Sequence, residues 1–129
     1  MTGRQEISVE GLPTPLSHYC DAVRFGDLLF ISGCAPFDEN GVVAPGDVVG
    51  QVTYVLQTIE KILASCDATF ADVLKVTVYL TDVSLRAAIN PVRQQFFGSA
   101  RPASTLVEVS ALALPGMLVE IEAVAGLRR

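Results

Sequence analysis

The sequence predicts an α+β fold, a sheet of about four to six strands with two helices packed on one face. Three observations carry this: a glycine-led hairpin near the start, one long stretch of 3.6-residue period, and strict alternation in later segments. Ala22-Val-Arg-Phe25 and Leu28-Leu-Phe-Ile-Ser32 flank Gly26-Asp27, a two-residue turn of the kind that closes antiparallel strands. Cys34 to Pro45 carries Pro36, Asp38, Asn40-Gly41 and Pro45 and reads as a loop. From Asp47 the period changes: Val48, Val52, Val55, Leu56, Ile59, Ile62, Leu63 and Cys66 share one face of a helix of about five turns. The Asp47 carboxylate is placed to accept from the free amides of the first turn. Leu74-Lys-Val-Thr-Val-Tyr-Leu-Thr81 alternates, with Leu74, Val76, Val78 and Leu80 on one face of a half-buried strand. Leu85, Ile89, Val92 and Phe96 mark a second helix, in which Pro91 predicts a kink or a restart. Ser104 to Val109 and Leu118 to Val124 read as the closing strands, with Pro115-Gly116 as turn chemistry between them.

Two helices on one face leave the other face of the sheet without a cover. Half of the residues are hydrophobic and only 18% are charged, against about 25% charged in a typical soluble domain. The surplus apolar surface predicts a homo-oligomer. At 129 residues, positions 1–129 read as a single domain, long enough for its own core.

Composition also excludes. Nine basic against 14 acidic residues, a net charge of −5, leave no basic stripe to replace counterions along a phosphate backbone, so no nucleic-acid partner is expected. No apolar run approaches the roughly 20 residues that span a bilayer, and the start at Met1 lacks the apolar core of a signal peptide. The expectation is a cytoplasmic protein without a membrane partner. Cys20, Cys34 and Cys66 are odd in number and unpaired by spacing, and read as free thiols. His18, the only histidine, reads as a surface or interface residue rather than a metal ligand. Phosphate loop, dinucleotide turn and serine elbow are all missing, so mononucleotide, dinucleotide and serine-hydrolase readings lose their best evidence.

Three carboxylates stand in apolar strands: Glu108, Glu120 and Glu122. Period two puts Glu120 and Glu122 on one face. If another subunit lines that face, a partly dehydrated glutamate can act as a base or hold a water; otherwise the face is solvated or paired with arginines. Ser32-Gly33-Cys34 ends a strand, where glycine admits a ligand to the backbone. Cys34 lacks basic neighbours in sequence and reads as a small buried thiol rather than a ligand contact. Tyr19 either covers a pocket or packs.

Phe25-Gly-Asp-Leu-Leu-Phe-Ile-Ser-Gly33 with Pro36, Ala71-Asp-Val-Leu-Lys-Val-Thr-Val-Tyr-Leu-Thr-Asp82, Asn90 before Phe96-Phe97, Arg101-Pro-Ala, Val107-Glu-Val109 and Val119-Glu-Ile-Glu-Ala-Val124 occur in family order. Over Tyr19 to Val124 the chain resembles the RidA/YjgF reactive-intermediate deaminase family. The resemblance implies a chorismate-mutase-like (RidA) fold and a homotrimer with a central sheet barrel. It also implies small-molecule clefts between subunits and hydrolysis of an enamine or imine acid, such as 2-aminoacrylate, to a keto acid and ammonia, with neither metal nor cofactor. By the same resemblance Tyr19 lines the cleft, Ser32-Gly33 cradle the ligand beside Cys34, and Glu120 positions the attacking water. Thr105 and Leu106 lie beside the substrate clamp. Active members carry an arginine there that grips the substrate carboxylate; this chain has Ser104, which has no charged fork to offer. Arg101, three residues earlier, is either a replacement clamp or a loop residue. The alternative function is a non-catalytic small-molecule-binding or regulatory trimer. A ribonuclease or translation inhibitor, attributed to some relatives, is disfavoured by the acidic charge.

Overall fold

Asp47 does begin the long helix: in the computed structural model, which describes residues 3–128, its carboxylate accepts from the Gly50 amide at 3.0 Å. Met1 and Thr2 of the start considered above, and Arg129, lie outside the described residues. The elements in chain order are β1 (Arg4–Ile7), β2 (Ala22–Phe25), β3 (Leu28–Cys34), β4 (Phe37–Asp38), β5 (Gly41–Val42), α1 (Val48–Ser65), β6 (Val73–Leu80), α2 (Arg86–Phe97), β7 (Ala103–Glu108) and β8 (Val119–Gly126). Six strands form one sheet in the order β1-β2-β3-β8-β6-β7, and β4 pairs with β5 apart from it. Among the described residues only β6 and β7 run parallel, and α2 is the crossover such a pair requires. This is the expected α+β architecture, a mixed sheet with two helices packed on it.

The core lies between the helices and one sheet face. Val52, Val55, Leu56 and Ile59 of α1 meet Leu29 and Ile31 of β3, Val76 and Val78 of β6, and Val119 and Ile121 of β8, all buried. Gln51 is the polar exception, wholly buried yet satisfied. Its Nε2 donates to the Gly116 carbonyl at 2.9 Å and its Oε1 accepts from the Leu118 amide at 2.8 Å. It therefore fastens the approach to β8 onto α1.

Some local expectations change. Leu74 does not share the buried face of Val76, Val78 and Leu80. Val73 pairs with Ala125 and Lys75 with Val124, so β6 carries one extra residue, and this bulge turns Val73 inward and leaves Leu74 52% exposed. The helix α2 passes through Pro91 without a restart; Pro91 and Ala87, whose carbonyl loses its helical donor, are both exposed to water. The short strand β1 and the β4–β5 pair arise in segments too polar or too short to show a period.

The uncovered sheet face is apolar toward β3. Phe25, Leu28 and Phe30 are 57%, 40% and 47% exposed, and Leu74 lies over Gly126 beside them. Further along the same face stand Glu120, Glu122 and Tyr79, whose hydroxyl donates to Glu122 at 3.0 Å.

Candidate functional site

The strand β3 departs from regular pairing where the sequence places Ser32-Gly33. Ile31 pairs with Ala123 but Cys34 with Ile121, three steps against two, so β3 too carries a bulge. Regular alternation after Leu29 and Ile31 turns residue 33 inward; the extra residue turns Cys34 inward instead and presents Gly33 to Glu120. A β-carbon on Gly33 would overlap the Glu120 carboxylate. Glycine is needed here for close approach.

Glu120 is half-buried and makes no hydrogen bond to any described residue. Burial, reinforced by the charge of Glu122, holds its carboxyl above the ordinary value of 4.5. Tyr19, Ser32, Gly33 and Glu120 line one depression of about 300 Å³ with Leu16 and Phe37 at its rim. The Tyr19 hydroxyl accepts from the Leu16 amide at 3.2 Å, which leaves its own proton available. Ser32 is committed to the scaffold: its hydroxyl donates to the Cys20 carbonyl at 2.6 Å and its amide to the Asp21 carbonyl at 3.0 Å. Cys34 lies beneath, its thiol 3.4 Å from the Ser32 carbonyl. Burial first, then the charges of Asp21 and Glu120, push that thiol up to about 12, so it is a protonated core group and no nucleophile.

The remaining sequence candidates divide between the two sheet faces. Tyr79 pairs with Glu120 and with Val107, whereas Ser104 pairs with Val76 of the buried face. Ser104 thus points toward α2, away from Glu120. With Arg101 it lines a second depression, of about 250 Å³, between α2 and the start of β7. Leu106 packs partly buried on the same side. Thr105 faces the opposite way and accepts from the Lys75 ammonium at 2.7 Å. His18 is exposed, and the described residues hold no group of three or more metal-ligating side chains.

One residue of the second depression is not among those the sequence singled out. Arg93 of α2 donates from Nη2 to the Ser104 hydroxyl at 3.0 Å, and burial lowers the pKa of its guanidinium. Asn90, Arg93, Gln94 and Phe97 recur at i, i+3, i+4 and i+7, and that spacing is the one signal that placed Arg93 over β7.

Comparison with known proteins gives a consistent result. A family model described as endoribonuclease L-PSP matches residues 10–127. A RutC family protein of Pyrococcus horikoshii is 40% identical over 123 residues, which is 95% of this chain and 97% of that protein. The 3-aminoacrylate deaminase RutC of Acinetobacter baylyi is 37% identical over 123 residues, again 95% and 97% of the two chains. The crystal structure of YyfA, a member of the conserved Rid protein family from Yersinia pestis, superposes with a TM-score of 0.89 at 30% identity, covering 97% of this chain and all of that one. No helix among the described residues is long and apolar enough to cross a membrane.

Proposed function

The chain belongs to the endoribonuclease L-PSP family, the RidA/YjgF proteins, and we propose that it hydrolyses an enamine or imine acid to the keto acid and ammonia, in clefts between subunits of a cytoplasmic homotrimer. The observation that carries this reading is the Glu120 carboxylate: seated on the Gly33 backbone, half withdrawn from water and without a hydrogen-bond partner among the described residues. Such a group is available to orient a water and take its proton. An enamine first gains a proton from solvent at carbon to become the iminium ion. Water then adds to the C=N carbon while Glu120 takes one of its protons; Glu120 returns that proton to nitrogen, the carbinolamine collapses, the C–N bond breaks, ammonia leaves, and the hydroxyl proton goes back to solvent as the carbonyl forms. The reaction is redox-neutral and consumes only water. The 3-aminoacrylate deaminase among the relatives supports this reaction class.

The two faces of the sheet support the same reading. Glu120 and Ser104 lie on opposite faces of one sheet, so one chain does not close a cleft between them. A second copy bringing its β7 edge to the Gly33 bulge completes a cleft, and the exposed Phe25, Leu28 and Phe30 give the copies an apolar surface to bury. A non-catalytic metabolite-binding trimer is the second reading, favoured by the neutral hydroxyl of Ser104.

Ammonia release from enzymatically generated 2-aminoacrylate and from bulkier imino acids tests the proposal. Native chain is expected to turn over at least one of them, and Glu120→Ala to lose about a hundredfold or more. Keto-acid binding without turnover of any imine would establish the binder instead.

A further inference from the structure

We infer that Arg93, braced by the Ser104 hydroxyl, is the anchor for the carboxylate of the ligand, so that α2 supplies the charge that β7 lacks. The inference rests on the small-metabolite reading and adds to it the residue that holds the acid group of the ligand.

The first observation is an unanswered charge. A guanidinium has about five N–H donors and stays protonated in proteins. Arg93 uses one, toward Ser104, and has no acidic partner among the described residues although it is partly withdrawn from water. A desolvated charge without a counter-charge is unfavourable unless an anion completes it.

The second observation is the surroundings. In a chain of net charge −5, the depression holds Arg93 and Arg101 and no acidic lining residue. Asn90 adds an amide, while Phe97 and Pro102 give apolar contact for a short carbon chain. The third observation is the size of Ser104. A serine at this place leaves room for a guanidinium from α2, and its oxygen holds one Nη in position while the rest of the fork stays open. Two parallel N–H donors then match the two oxygens of a carboxylate. Arg101 is exposed and makes no hydrogen bond among the described residues, so its contribution is a nearby positive charge rather than a fixed fork. Ser104 acts through Arg93 and is a positioning residue.

Calorimetric titration with 2-oxobutanoate, together with kcat and KM for ammonia release, tests this. Arg93→Gln is expected to weaken 2-oxobutanoate binding and raise KM by about 10- to 100-fold. Binding of the uncharged 2-oxobutanamide stays the same, and the thermal melt stays cooperative. Arg93→Lys keeps the charge and stem, and guards against a folding defect; it recovers part of the loss. Arg86→Gln, which removes a charge from α2 outside the depression, leaves binding at the native value. Placing arginine on β7 in the double variant Arg93→Gln/Ser104→Arg restores affinity. Ser104→Ala raises KM for the carboxylate with little change in kcat. Native affinity in Arg93→Gln, or a larger loss in Arg101→Gln than in Arg93→Gln, overturns the inference; so does a native chain that binds no 2-oxobutanoate. The two proposals fail separately: Arg93-dependent binding without imine turnover sinks the hydrolase and keeps the anchor, and turnover with an unchanged KM in Arg93→Gln does the reverse.

Discussion

Replacing Gly33 by alanine separates the site from the scaffold that carries it. The added methyl falls on the Glu120 carboxylate, and the obstruction is the far end of a flexible side chain rather than backbone. The carboxylate can swing aside, so the fold loses only the low end of an overpacking penalty, about 1 kcal/mol. For a domain of this size that lowers Tm by about 3–6 °C. Catalysis has less tolerance. A displacement of about 1 Å of a group that orients a reacting water costs on the order of a hundredfold in rate. Gly33→Ala is therefore expected to lose about a hundredfold in kcat for imine hydrolysis while remaining folded by circular dichroism. The double variant Gly33→Ala/Glu120→Ala provides the decisive comparison. If Gly33 matters only as the seat of Glu120, the double variant is no slower than Glu120→Ala alone. Activity of Gly33→Ala within about threefold of native, or losses that multiply in the double variant, would refute the reasoning.

Other variants report on neighbouring features. Glu120 is held above its ordinary value of 4.5, so the folded state binds a proton more tightly than the unfolded one. Stability is thus lowered as pH rises from that value through the raised folded one. Glu120→Gln is expected to raise Tm at pH 7 and lose that advantage at acidic pH, and a Tm gain independent of pH would contradict this. In native protein, activity falls as pH drops through the raised value, because the protonated carboxyl no longer accepts. Gln51→Leu leaves the Leu118 amide and Gly116 carbonyl unsatisfied beside the core and is expected to lower unfolding free energy by about 2–5 kcal/mol in urea titration. A loss below 1 kcal/mol, by the same standard, would mean water replaces the amide. Phe30→Asp puts a charge in the exposed apolar face; sedimentation is expected to show monomers without hydrolase activity, and an unchanged oligomer would place the subunit contact elsewhere.

The helix α1 was legible because a long amphipathic period and an aspartate cap are local signals. The α+β class was legible for the same reason, since alternating strands and two helices leave few ways to bury both. Glu120 stood out as a charge in an apolar strand, and Tyr19, Ser32 and Gly33 do gather around it. What stayed hidden depends on neighbours distant in sequence. Gln51 looks like an error in an apolar stripe until Gly116 and Leu118 arrive beside it. Arg93 looks like an ordinary exposed helix residue until the parallel pairing of β7 with β6 brings Ser104 under it.

Both departures from alternation fall on strands flanking β8, and they have one physical consequence. Strict period two on β3 would point Gly33 into the core, and on β6 would bury Leu74. One inserted residue on each strand reverses this: Gly33 turns to Glu120, and Leu74 turns out to cover Gly126 next to Leu28 and Phe30. A bulge leaves the preceding and following side chains in the core, as Ile31 and Cys34 show, so the core is kept while one position changes face. The sheet thereby gains a backbone seat for a carboxylate at one place and an added apolar contact at another, both on the face the helices do not cover. Deleting Gly33 would restore regular pairing with Ile31 and Cys34 still inward, but it would set the Ser32 side chain opposite Glu120, and the carboxylate would lose its backbone seat.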